Sequence, residues 1–303
     1  GELIVSQKFI PGLLLAETYY PVKDKKGFTA DIIEKSIAEG FYKSFEIGDI
    51  QDKEERKRIL TAKEQNNIIL TEWFTFLIDR EHLDVSSLDK DLRLKTVQRL
   101  KEETYFAAEC GVSNIAFVTG PDPGDEKRKD AMDALFESIC SICEEAKKYS
   151  MTVLVEHLDR FAHKKRVLGP IDETVQLFTR VKENYSNIGI AFDTAHSALN
   201  GENVVDAIKL GKDFIHQIHF SNAVLDPSSE LYGDHHMAIG ETGFLTEEKI
   251  SEILVEVKQL KIGPEEGLRV AVEARTPNEG VLEESAKTQK NILENALKSV
   301  VTN

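Results

Sequence analysis

The chain has 303 residues, 41% of them apolar, with a mean hydropathy of −0.30 and a formal net charge of −15. The negative surplus works against non-specific binding to nucleic-acid backbones and anionic membranes, and no apolar run reaches the roughly 18–20 residues of a membrane helix. No signal-peptide pattern opens the chain, which points to the cytoplasm, although Gly1 stands where a Met would begin it and leaves a removed leader open.

In chain order, apolar runs predict strands at Leu3–Ser6, Lys43–Gly48, Asn67–Glu72, Asn114–Val118, Thr152–Glu156, Ile188–Asp193, Phe214–His219 and Arg269–Glu273. Helical periodicity follows each of them, at 29–40, 51–65, 86–108, 125–149, 171–184, 201–211, 246–260 and 281–301. Strict alternation of eight strands and eight helices predicts a parallel sheet closed as a (β/α)8 TIM barrel, with residues 1–303 in one domain. An open doubly wound sheet usually carries a Gly-rich turn after its first strand, and SQKFIPGLLLAE has none. Residues 7–28 and 220–245 read as long loops, the second carrying LYGDHHMAIGETGFL, and loops of that length usually serve a site.

The three cysteines are few and odd in number, as expected of reduced thiols. Cys140 and Cys143 form a C-x-x-C, but inside a helical stripe of Leu135, Ile139, Ile142 and Ala146 that reads as a buried face. A redox or zinc role would need a preceding strand or a second such pair.

Alternation along the strands places Glu156 with Thr152 and Leu154, Asp193 with Gly189 and Ala191, His219 with Ile215 and Gln217, and Glu273 with Arg269 and Ala271. Each of the four ends a predicted strand, so all four point into the C-terminal mouth, where barrels carry their chemistry. Three carboxylates and one imidazole converging there predict one divalent cation, Mn2+ by the oxygen-rich donor set, with Co2+, Mg2+ or Zn2+ as alternatives.

The order of these ligands resembles the xylose-isomerase-like barrel superfamily, which includes ketose 3-epimerases, sugar-phosphate isomerases, inosose dehydratases and the endonuclease IV type of abasic-site nuclease. The D-T-x-H at Asp193–His196 and the G-E-x-G at Gly240–Gly243 are frequent motifs of that group. The resemblance implies a metal-dependent sugar or sugar-phosphate isomerase or epimerase working through a cis-enediolate. Glu156 and Glu273 would be its acid–base pair. A metal-dependent lyase of the cyclitol dehydratase kind would use the same ligands, and a barrel retained only for binding is a further alternative. Family members often pair, so a homodimer or homotetramer is implied.

Two branches differ in detail. Ketose 3-epimerases carry E-x-x-N-R-F-E where this chain reads E-H-L-D-R-F-A, so Asp159 replaces Asn and Ala162 replaces a substrate-contacting Glu. Leu225 stands where those enzymes have an arginine. The nuclease branch shares the counterparts of His196, Asp234 and His236, but its histidines at the third and fourth strand ends are missing, where Glu72 and Val118 stand. No nucleic-acid partner is therefore expected, and a small sugar is. GDHH alone does not make a DHH phosphoesterase, which needs an aspartate-rich motif near the N-terminus.

Around the quartet, His196 is expected to bond a substrate oxygen, and Trp73 to wall a sugar face or pack in the core. Arg160 and Arg275 would each hold a carboxylate or phosphate, or form a rim ion pair. Glu46 and Glu72 are rim carboxylates for substrate contact or structure. Asp234 and His236 would contact substrate, bind a second metal, steady His219, or order the loop.

Overall fold

The computed structural model describes residues 7–301. Its strands are β1 (Phe9–Leu14), β2 (Ser44–Ile47), β3 (Ile69–Trp73), β4 (Asn114–Phe117), β5 (Thr152–Glu156), β6 (Ile188–Asp193), β7 (Ile215–Val224), β8 (Gly233–Met237) and β9 (Leu268–Glu273). The helices are α1 (Leu15–Thr18), α2 (Phe28–Glu39), α3 (Lys53–Gln65), α4 (Thr75–Glu81), α5 (Lys90–Glu109), α6 (Asp125–Lys147), α7 (Ile171–Lys182), α8 (Thr194–Leu199), α9 (Val204–Leu210), α10 (Glu247–Leu260) and α11 (Leu282–Val301). Strands β1 to β7 pair in parallel in sequence order, and β9 closes the ring between β7 and β1. The architecture is a closed (β/α)8 TIM barrel. Strand β8 stands outside it, antiparallel to the overlong end of β7.

Several expectations need correction. The strand anticipated at Leu3–Ser6 lies outside the described residues, and the ring's first strand is Phe9–Leu14 inside the supposed loop 7–28. Pro11 and Gly12 masked it, because both are depleted in central strands. Here the Pro11 carbonyl accepts from Lys43 N–H. The second supposed loop, 220–245, is largely the β7–β8 hairpin. Alternation along β7 also breaks. The register shifts so that Ile190 pairs with Ile215 and Ala191 with Gln217, leaving His216 as a bulge. Ile215 therefore packs outward in the main core, while Gln217 and His219 face the interior. The His216 imidazole occupies the space that a Cβ on Gly189 would fill, so Gly189 admits it.

Packing follows two layers. Val153, Val155, Ile190 and Val270 face the helices and join one large core, to which each fully buried aliphatic adds about 1.5–3 kcal/mol. Inside the ring, Trp73, Ala116, Leu154 and Ala191 form a small separate cluster under the mouth. Leu135, Ile139, Ile142 and Ala146 are buried on α6 with Cys143 beside them, and all three cysteines are free. Burial pushes the Cys143 thiol up, away from the thiolate that redox or metal work needs. Among the described residues, no helix is long and apolar enough to cross a membrane.

Candidate metal centre

Glu156, Asp193, His219 and Glu273 each offer one ligand atom, all within 4.8 Å of one another, and all four residues are buried. They sit at the C-terminal ends of β5, β6 and β9 and near the middle of the long β7, as strand alternation requires. Two carboxylates at 4.8 Å repel by about 3.5 kcal/mol at an effective dielectric near 20. Burial, with the Asp193 and Glu273 carboxylates adding to it, pushes Glu156 well above the usual carboxylate range. Burial likewise lifts Asp193 to about 7.

Asp193 shows that this crowding suits a cation. Its Oδ1 accepts from Ala195 N–H at 2.8 Å and His196 N–H at 3.1 Å, capping the short α8. Its Oδ2 is buried and meets no donor. A buried carboxylate oxygen with no partner is costly unless something positive faces it. The donor set of three carboxylates and one imidazole therefore fits a divalent ion. The D-T-x-H spacing has a plain reason: the capped turn brings His196 back over the ligands.

His219 is gripped from both sides. Its Nδ1 lies 2.8 Å from Glu273 Oε2 and its Nε2 lies 2.7 Å from Glu46 Oε1. Against burial, which lowers it, the Glu46 and Glu273 carboxylates hold His219 well above an ordinary histidine. Of the two roles expected for Glu46, substrate contact or structure, the structure shows the second: its Oε1 is taken by Trp73 Nε1 at 2.8 Å, Gln217 Nε2 at 2.7 Å and His219. Arg269 Nε in turn donates to Gln217 Oε1 at 3.3 Å. This buried relay from Arg269 through Gln217 and Glu46 fixes the His219 ring and presents Nδ1 to the quartet, the usual arrangement behind a metal-bound imidazole.

A second relay serves His196. Asp159 Oδ1 lies 3.0 Å from His196 Nδ1, and Asp234 Oδ2 lies 3.2 Å from its Nε2. Burial opposes a charge there, but Asp193 and Asp159 raise His196 to about 10. His236 Nδ1 sits 2.9 Å from Glu273 Oε1. Although burial works against ionised Glu273, hydrogen bonds from His219 and His236 hold it well below the usual range. Asp234, His236 and Glu273 also converge as a trio. Asp234 and His236 thus steady His196 and Glu273 rather than His219.

A cavity of about 490 Å³ opens above these groups, lined among others by Glu46, Trp73, Glu156, His196, His219, Asp234, His236, Glu273 and Arg275. Arg160 and Arg275 both take the ion-pair alternative. Arg160 does not line the cavity, because Asp122 at 3.4 Å and Asp125 at 2.7 Å draw its guanidinium outward. Arg275 does line it, but its Nε and Nη2 are held by the two Glu17 oxygens at 2.8 and 2.9 Å. Glu72 faces the helices, aligned with Ile47 and Ile115, and is raised first by burial and then by Glu103. Sequence reading missed Glu17, because β1 was misplaced. It also missed Gln217 and Arg269 as a relay and Asp159 as the His196 partner, although their strand faces and its position near β5 were visible. Gly243 of G-E-x-G packs against the Asn222 carboxamide, where no Cβ would fit.

The comparisons agree with this frame. The sequence matches the xylose isomerase-like TIM barrel family over residues 36–292. No curated protein sequence is a significant match. Among solved structures, a D-tagatose 3-epimerase-like protein superposes with a TM-score of 0.70 at 17% identity, covering 98% of each chain. D-psicose 3-epimerase with D-tagatose from Clostridium cellulolyticum H10 gives 0.70 at 16% identity over 96% of this chain and 99% of its own. The IOLI protein with a binding zinc atom gives 0.72 at 12% identity over 97% and 99%. At these identities the structural likeness establishes fold alone, and the sequence match establishes that the chain belongs to the xylose isomerase-like TIM barrel family.

Proposed function

We propose that this protein is a divalent-metal-dependent isomerase or epimerase of a sugar or sugar phosphate. The observation that carries the reading is the buried quartet with one Asp193 oxygen left without a donor. Glu156, Asp193, His219 and Glu273 would hold one ion, Mn2+ by donor type. When bound, such an ion polarises a sugar carbonyl and makes the neighbouring C–H more acidic. D-psicose 3-epimerase, L-ribulose 3-epimerase and a zinc-bound IOLI protein stand among the structural neighbours and support the same class.

Proton movement falls to the chain's own groups. Glu156 and Glu273 both line the cavity and would divide the work of acid and base. One takes the carbon-bound proton and the other returns one to the opposite face of the cis-enediolate, which inverts the carbon. Return to the adjacent carbon gives aldose–ketose isomerisation instead. His196, held charged by Asp159 and Asp234, donates to a substrate oxygen. Trp73, fixed by Glu46, walls the cavity. The test is incubation of Mn2+-loaded protein with ketoses in D2O. The reading expects a product one mass unit heavier per exchange with no loss of water, and a dehydrated product would establish a lyase in its place.

A further inference from the structure

Most cations near the mouth are already neutralised: Arg160 by Asp122 and Asp125, and Arg275 by Glu17. Lys164 and Arg166 differ. Both line the cavity that holds the quartet, both are half-buried, and neither side chain meets a carboxylate or acceptor among the described residues. Arg166 Nε is buried with no partner. Of the described arginines, only Arg166 and Arg269 lack a carboxylate beside them, and Arg269 is bonded to Gln217. In a chain of net charge −15, an unpaired guanidinium in a cavity wall calls for a counter-ion from outside.

The backbone holds these two residues in register with the catalytic groups. The Asp159 carboxylate that bonds His196 also accepts from His163 N–H at 2.6 Å and Lys164 N–H at 2.7 Å. Arg166 N–H donates to the Asp159 carbonyl at 3.1 Å. Asp234 N–H donates to His163 Nδ1 at 3.1 Å, tying this loop to the β7–β8 hairpin and leaving the His163 proton on Nε2. A guanidinium and an ammonium fixed beside one cavity form the usual recognition pair for an oxyanion.

We propose that Lys164 and Arg166 form an oxyanion subsite, and that the sugar carries a phosphate monoester or a carboxylate away from its reacting carbons. This rests on the sugar reading above, and it separates this chain from enzymes of neutral ketoses. The test is calorimetric titration of the full chain with inorganic phosphate and, separately, glycolate. Mn2+-loaded and EDTA-stripped protein are compared, so that anion held by the metal is told apart. Lys164→Gln and Arg166→Gln should each weaken binding about tenfold, and the double variant about a hundredfold. Neither side chain forms a hydrogen bond or ion pair among the described residues, and the single Lys164→Gln variant carries the test should the double fail to fold. Tight phosphate assigns a sugar phosphate, and tight glycolate assigns a sugar acid. Binding of neither anion, or binding unchanged in both variants, overturns the subsite. Glu156→Gln must still bind the anion. Intact anion binding without proton exchange would sink the isomerase reading and leave the subsite standing.

Discussion

Replacing Glu46 with glutamine tests whether the relay behind His219 sets metal affinity. Glu46 Oε1 receives Trp73 and Gln217, and both its oxygens face His219 Nε2, at 2.7 and 2.9 Å. Glutamine has one acceptor oxygen, which Trp73 and Gln217 would claim. Its amide NH2 would then oppose the His219 Nε2–H, donor against donor. His219 either loses its partner or moves its proton to Nδ1, the nitrogen that faces Glu273 and the quartet. Losing one charge-assisted hydrogen bond costs about 1.5–3 kcal/mol, roughly ten- to a hundredfold in affinity, and loss of such supporting partners from metal ligands has an effect of that size. Titration of EDTA-stripped protein with Mn2+ against a competing chelator dye should show Kd raised about 10- to 100-fold in Glu46→Gln, with Glu46→Asp closer to wild type. A change below about threefold in a folded variant would refute the positioning role.

Metal binding at pH 7 should release protons, because Asp193 titrates near 7 and Glu156 above the usual range. Calorimetry in buffers of different ionisation enthalpy should find about one proton or more per ion, and affinity should fall as pH drops below 7; no release would contradict the crowded-carboxylate picture. Elemental analysis should find one divalent metal per chain, whereas two or three zinc ions would favour the nuclease arrangement. Burial, with the Glu103 carboxylate adding to it, holds Glu72 well above the usual carboxylate range, so the unfolded chain ionises first and stability erodes as pH rises above about 4.5. Glu72→Gln should therefore raise Tm at pH 8, with the gain shrinking toward pH 4, and a gain that grows on acidification would reverse the sign. Gly243→Ala should cost about 1–3 kcal/mol of stability by displacing Asn222, whose carboxamide bonds Ala238, Gly240, Ala223 and Leu245.

The quartet was legible because each ligand ends an apolar run, and parallel strands bring their ends together whatever the sequence separation. The barrel followed from alternation for the same reason. What escaped depended on contacts between distant loops or on breaks in regularity. Pro11 and Gly12 hid the first strand, and with it Glu17. The His216 bulge reversed the face of Ile215, which period-2 counting cannot anticipate. Arg160 could hold an anion or form a rim ion pair, and only the fold brings Asp122 of the loop after β4 and Asp125 at the start of α6 beside it. The H-K-K-R run at His163–Arg166 was visible in an acidic chain, but only the fold shows which of its cations remain unpaired.

The most direct test of the central claim is solvent exchange by the two glutamates. Mn2+-loaded wild-type protein given its sugar in D2O should place deuterium on carbon. Glu156→Gln and Glu273→Gln should each slow that exchange by about 10²- to 10⁴-fold. Undiminished exchange in both variants, with metal still bound, would contradict the two-glutamate mechanism.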